Sequence, residues 1–160
     1  MIKMSVESVR RYLADFGLEG RVAEFAESSA TVELAAAVVG VIPARIAKTL
    51  SFMSPGGTAF LIVAAGDAKI DNRKFKDYFG FKAKMLSPQE AIDLVGHAVG
   101  GVCPFAVKEN VAVYLDKSLQ RFDTVFPAAG SSSSAVELNC DELFTASQAK
   151  EWIDCCKLPE

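Results

Sequence analysis

The sequence predicts an α+β fold: one domain, residues 1–160, in which a twisted mixed β-sheet is flanked by helices. Two apolar runs, Ile46-Ala-Lys-Thr-Leu-Ser-Phe-Met53 and Ala59-Phe-Leu-Ile-Val-Ala-Ala65, flank the turn Ser54-Pro-Gly-Gly57, and strong turn residues between two such runs mark a β-hairpin. Helix-start chemistry recurs between the apolar runs, most fully in Ser87-Pro-Gln-Glu90, where Pro88 takes the first helical position and Glu90 completes a capping box. Strand and helix signals alternate without a regular strand-helix-strand period, which favours an α+β domain over a doubly wound one. A chain of 160 residues can bury a substantial core.

Taken in order, Ser5 caps an amphipathic helix that places Val9, Leu13 and Phe16 on one face and stops at Gly17. Residues 21–25 read as a short strand. Ser29 or Thr31 opens a second helix over 32–39, ended by Gly40. After the hairpin, Gly66-Asp67 closes the returning strand, and 71–78 reads as a helix with Gly80 behind it. Residues 84–86 read as a short strand, 88–95 as a helix ending at Gly96, and 105–107 as another strand. Three further strands are predicted over 111–115, 124–126 and 135–138, and closing helices over 141–144 and 148–155. Ser131 to Ser134 form a brief serine turn.

Composition narrows the function. Apolar residues make up 51% and charged residues 23%, a globular balance. The net charge of −3 argues against sequence-independent binding along a nucleic-acid backbone, which needs a broad basic surface. It leaves room for a local cationic pocket. Pro43, Lys48 and Gly56 interrupt the most hydrophobic region, so no stretch is long enough to span a bilayer. The N-terminus lacks the pattern of a signal peptide, so a cytoplasmic location is expected. Of the four cysteines, Cys103, Cys140, Cys155 and Cys156, none forms a C-x-x-C pair. With a single histidine no zinc set is expected, and Cys155-Cys156 read as helix-face thiols.

Lys48 is the first candidate for chemistry. Strand alternation puts it on one face with Ile46, Leu50 and Phe52, and puts Ala47, Thr49 and Ser51 on the other. A lysine on an apolar face is costly unless it reaches water, a carboxylate or a ligand. An edge-strand lysine snorkelling to solvent is an equally good reading. Gly100-Gly-Val-Cys-Pro104 is the second candidate. Its glycines let a ligand approach backbone amides, which can stabilise negative charge developing on an ester carbonyl; an ordinary turn fits the pattern too. Cys103 with His97 as its base is a conceivable nucleophile pair, and a buried thiol beside a helix-capping histidine is the plainer reading. Gly66-Asp67 and Ala129-Gly130-Ser131 each end a strand and could rim one cleft. No phosphate-binding loop, dinucleotide fingerprint, nucleophile elbow or zinc-protease helix is present.

Four segments together carry a resemblance: Ala35-Ala-Ala-Val-Val-Gly-Val-Ile-Pro-Ala-Arg-Ile-Ala-Lys48-Thr-Leu, Ala65-Gly-Asp-Ala-Lys-Ile-Asp71, Gly96-His-Ala-Val-Gly-Gly-Val-Cys-Pro-Phe105 and Ala128-Ala-Gly-Ser131. In this order they resemble the YbaK/EbsC-type free-standing aminoacyl-tRNA deacylases, relatives of the editing domain inserted in bacterial prolyl-tRNA synthetases. The resemblance implies hydrolysis of the ester joining a wrong amino acid to tRNA, with tRNA(Pro) carrying Ala, Cys or Ser as the expected substrate. It implies that Lys48 holds the 3′-terminal adenosine and substrate backbone, and that the Gly100–Pro104 loop places the carbonyl. Gly100 and Gly101 would then act in catalysis, with Val102, Cys103, Pro104, His97, Asp67, Gly130 and Ser131 binding substrate. Water, the ribose 2′-hydroxyl or a substrate thiol would be the nucleophile, and no metal or organic cofactor is expected. The expected partner is the acceptor end of aminoacyl-tRNA, with prolyl-tRNA synthetase as a further candidate. The chain departs from the family where Glu27-Ser-Ser-Ala-Thr-Val-Glu lacks a His-Thr-Val sequence and where Gly130-Ser-Ser-Ser replaces Gly-Ser-Arg-Gly. Two other functions remain open from the residues: a binding module for aminoacyl ends without turnover, and a small-ester hydrolase built on Cys103 and His97.

Overall fold

The structure, a computed structural model, describes residues 6–26, 31–98 and 101–159. Helix α1 (Val6–Ala14) buries Val9 and Leu13, and its expected cap Ser5 lies outside the described residues. Strand β1 (Val22–Glu24) precedes α2 (Val32–Val39), whose first turn is capped by Thr31 accepting the Leu34 N–H and whose end is Gly40 at φ 85°. The hairpin strands β2 (Ile46–Met53) and β3 (Ala59–Ala65) pair antiparallel from Ala47↔Ala65 to Met53↔Ala59. The two-residue strand β4 (Lys69–Ile70) leads to α3 (Asn72–Phe79), capped by Asp71 and ended by Gly80. The Ser87–Glu90 capping box forms as the sequence predicts and starts α4 (Pro88–Glu90), which continues as a π-helical turn, Ala91–Val95.

Strands β5 (Ala112–Asp116), β6 (Phe126–Pro127) and β7 (Ser134–Val136) follow, then α5 (Cys140–Ser147) and strands β8 (Trp152–Ile153) and β9 (Cys156–Lys157). The main sheet runs β6-β2-β3-β5-β8. It is mixed, with β2 antiparallel to β3 and the β2–β6, β3–β5 and β5–β8 pairs parallel. The α+β prediction holds. Every residue of β3 is buried, as befits a central strand covered on both faces. Phe52, Phe60 and Phe75 are buried in the core and Phe79 packs against them, with ring centroids 4.6 Å apart for Phe75–Phe79 and 4.8 Å for Phe60–Phe79.

Three local expectations fail. Residues 148–155 are not a helix: Gln148 adopts φ 53°, which stops α5, and Leu115↔Trp152 and Asp116↔Ile153 pairing adds a fifth strand to the sheet. Tertiary pairing overrides the local helical pattern. Cys155 and Cys156 accordingly sit in extended chain, not on a helix face. Residues 105–107 form no strand, and Ala106 takes φ 54°. Residues 84–86 contribute a single bridge, Phe52↔Met85. Among the described residues no helix is long and apolar enough to cross a membrane.

Candidate active site

On the side of β2 away from β3, β6 pairs only with Ile46 and Ala47. Farther along, the Met53 N–H donates to Lys84 O (2.8 Å) and the Leu86 N–H to Ser51 O (3.1 Å). Between these contacts, residues 48–50 face no strand. This gap opens on a cleft of about 350 Å³ whose lining includes Lys48, Thr49, Ser51, Val102, Ala128 and Ser134. Main-chain polar groups alternate sides along an antiparallel strand, and Ser51 and Met53 point theirs outward. Thr49 therefore turns its own N–H and C=O toward the gap. Its Oγ1 is also buried without a hydrogen-bond partner, and an unpaired buried hydroxyl costs about 1–3 kcal/mol. Nothing in the sequence singles out Thr49 beyond its place beside Lys48 in the strand.

Lys48 is half-buried and is held by neither a carboxylate nor open solvent. Its Nζ donates to the main-chain oxygens of Ala68 and of Gly66, the latter at 3.4 Å. An ammonium carries three donors, so one remains for a ligand. Burial lowers the Lys48 pKa, and Cys156 and Asp67 partly offset it. The backbone turn that supplies these carbonyls needs glycine: a Cβ on Gly66 would overlap the Pro43 carbonyl oxygen and stand 2.7 Å from Val32 Cγ1.

Gly101 packs against the second predicted turn. A Cβ there would stand 2.9 Å from Ser131 Cα and 3.1 Å from Gly130 O, so the two segments meet backbone to backbone. Gly130 lies at φ 99°, a region that favours glycine. Ser131 spends its hydroxyl inside the turn, on Ser134 Oγ at 3.1 Å. Gly100 lies outside the described residues.

His97 and Cys103 do meet, but not as a catalytic pair. His97 Nε2 stands 2.8 Å from Phe105 O, so that nitrogen carries the proton and donates it to the carbonyl. Cys103 Sγ is 3.6 Å from the same Nε2, which has no lone pair left to accept a thiol proton. Burial lowers the His97 pKa and keeps the ring neutral, and burial pushes the Cys103 thiol up to about 12. Without thiolate there is no nucleophile. Both residues are fully buried, as is Pro104, and none of the three lines the cleft. Asp67, likewise off the cleft wall, forms a two-pronged pair with Arg121 at 2.6 and 3.1 Å, and the Arg121 guanidinium holds its carboxyl below the usual range.

The cleft therefore joins a poised ammonium and an unpaired strand edge to Val102 of the glycine loop, with both small and large apolar residues on its wall, while Gly101, Gly130 and Ser131 stand behind that wall and do not line it. Residues 26–146 match the aminoacyl-tRNA editing domain family, and the chain belongs to that family, in its YbaK/EbsC-type group. It is a hydrolase of the aminoacyl-tRNA ester, an aminoacyl-tRNA deacylase. The chain is 56% identical over 154 residues, 96% of its length and 98% of the relative's, to "Uncharacterized protein YwhH" of Bacillus subtilis. It is 27% identical over 118 residues, 72% of each chain, to the "Putative Cys-tRNA(Pro)/Cys-tRNA(Cys) deacylase EbsC" of Enterococcus faecalis. A solved structure described as "a putative trans-editing enzyme for prolyl tRNA synthetase" superimposes with a TM-score of 0.86 at 27% identity, over 98% of this chain and 99% of that one.

Proposed function

We propose that this chain, acting as one editing domain over residues 1–160, clears tRNA(Pro) carrying a small non-cognate amino acid, Ala, Cys or Ser, in the cytoplasm. The observation that carries the reading is the free donor of Lys48 at a gap in the sheet edge, facing a cleft of about 350 Å³ with a largely apolar lining. The names borne by the EbsC relative and the trans-editing neighbour support the choice of substrate.

In this reading Lys48 holds the terminal adenosine and the substrate backbone. Amides of the Gly100–Cys103 segment meet the ester oxygen as it gains charge; the Gly101 N–H, which donates to Ala98 O at 3.0 Å, exchanges that partner for the ester. Water attacks the carbonyl carbon, the C–O bond to the ribose breaks so that the amino acid leaves as its carboxylic acid, and the water's proton passes to the leaving ribose hydroxyl. An activated ester needs little general base, so positioning and electrostatic stabilisation suffice. Val102 and the Gly130–Ser131 turn shape the pocket, while His97, Cys103 and Pro104 set the loop from beneath and the Asp67–Arg121 pair steadies the turn holding Lys48. Discrimination by size is worth about 1–3 kcal/mol per methylene. An acidic protein suffices because only the acceptor end needs to be gripped, and prolyl-tRNA synthetase is the candidate that would deliver it.

The test is hydrolysis of tRNA(Pro) charged with Ala, Cys, Ser, Thr or Pro. Fast loss of one small non-cognate ester, abolished by Lys48→Ala, is expected. Persistence of every ester with enzyme in large excess would overturn the tRNA(Pro) assignment.

A further inference from the structure

Away from the cleft loop, three potential metal donors from two distant parts of the chain converge: Asp116, Cys155 and Cys156, with their ligand atoms all within 4.8 Å of one another. Asp116 ends β5, Cys155 stands between β8 and β9, and Cys156 begins β9. Cys155 Sγ lies 3.6 Å from Asp116 Oδ1 and 3.9 Å from Cys156 Sγ. A tetrahedral zinc ion, with sulfur at about 2.3 Å and oxygen at about 2.0–2.2 Å, requires S···O edges of ~3.6 Å and S···S edges of ~3.8 Å. Vicinal cysteines in extended chain normally point to opposite sides; here both thiols turn the same way, toward one carboxylate.

The surroundings hold the donors in place. Asp116 Oδ1 accepts the Cys155 N–H and Oδ2 the Ser118 N–H, both at 2.9 Å. The Cys155 carbonyl accepts the Asp71 N–H (2.9 Å), and the Cys156 carbonyl accepts Lys74 Nζ (3.1 Å). Such outer contacts orient metal ligands. All three donors are buried, with Cys156 retaining 6% exposure. Cys156 pairs with Ile70 in the two-residue β4–β9 ladder.

We propose that Asp116, Cys155 and Cys156 form a binding site for a thiophilic divalent cation such as Zn²⁺. Binding exchanges two thiol protons for the metal: two S–H bonds break, two S–metal bonds form, and two protons leave to solvent. The bound site carries two thiolates and a carboxylate against one dication, a net single negative charge. Spacing hid the site, because Asp116 and Cys155 are 39 residues apart and no short motif links them. The proposal is independent of which tRNA the protein edits.

The test is titration of the reduced full chain with Co²⁺ and then Zn²⁺. One ion per chain is expected, with a thiolate-to-cobalt charge-transfer band, release of two protons, and affinity rising with pH. Loss of Cys156 in Cys156→Ala should weaken Zn²⁺ by more than the roughly 10–100-fold typical of losing an outer partner, while Cys140→Ser leaves it unchanged. Absence of the charge-transfer band, or Zn²⁺ binding that survives Cys156→Ala, overturns the site.

Discussion

Two polar clusters flank the same loop and come to opposite ends. Around Lys48 the strand edge is open, the cation is only half covered, and its main-chain partners leave one donor free. Around His97 and Cys103 the residue types are those of a hydrolase, yet the ring proton is committed to Phe105 O and the thiol is sealed. The difference shows that residue identity does not confer reactivity. Access to ligand and the protonation state left after local hydrogen bonding decide it.

The sharpest way to break the comparison is Lys48→Ala. Loss of the ammonium at the gap should lower deacylation by about 10²–10³-fold, measured under single-turnover conditions with the thermal midpoint checked in parallel. Retained activity would remove Lys48 from the centre of the site. Next comes Gly101→Ala. The new methyl meets the backbone of Gly130 and Ser131 at 2.9–3.1 Å, where neither side yields cheaply, and the shifted loop should cost about 10²-fold in kcat. Wild-type rates would mean that the loop does not set carbonyl placement.

Thr49→Val separates site from core. The valine matches the shape and removes a hydroxyl that has no partner, so stability should hold or rise. If the hydroxyl meets substrate, kcat/KM should fall by about threefold to tenfold, the worth of one hydrogen bond. Smaller still is the effect of Cys103→Ala on the ester step. Deacylation should persist, and iodoacetamide should label Cys140 well before Cys103 in the native chain. Activity that vanishes on modification of Cys103 alone, with the fold intact, would restore the thiol as nucleophile.

The fifth prediction concerns pH and stability. The folded-state pKa of His97 lies below its ordinary 6.5, so between those two values the unfolded chain binds more protons than the folded one. Stability therefore falls as pH drops below 6.5 toward the folded value, and is unaffected by this group above it. His97→Gln, which keeps a donor for Phe105 O, should flatten that part of the urea-midpoint profile relative to wild type. Identical profiles would show that the buried ring does not stay neutral.

Much of the molecule is legible in the sequence. The β2–β3 hairpin, the α2 and α3 bounds with their glycine stops, and the Ser87 capping box follow from turn and cap chemistry, which acts over a few residues. So does the position of Lys48 in an apolar strand. Short strands late in the chain were misplaced by a residue or more, and 148–155 was read as helix, because a two-residue strand has too little sequence to show a period and exists only through its partner.

The sequence by itself determined the α+β class, the hairpin, the family and the candidacy of Lys48 and the glycine loop, since each rests on local pattern or residue order. Only the tertiary structure decided that β2 has a gap at 48–50, that Thr49 faces it unpaired, that His97 is proton-committed, and that Asp116 meets the vicinal cysteines. Those features depend on which distant atoms fill or leave open a hydrogen-bonding direction, and contacts across the fold settle that, not spacing along the chain.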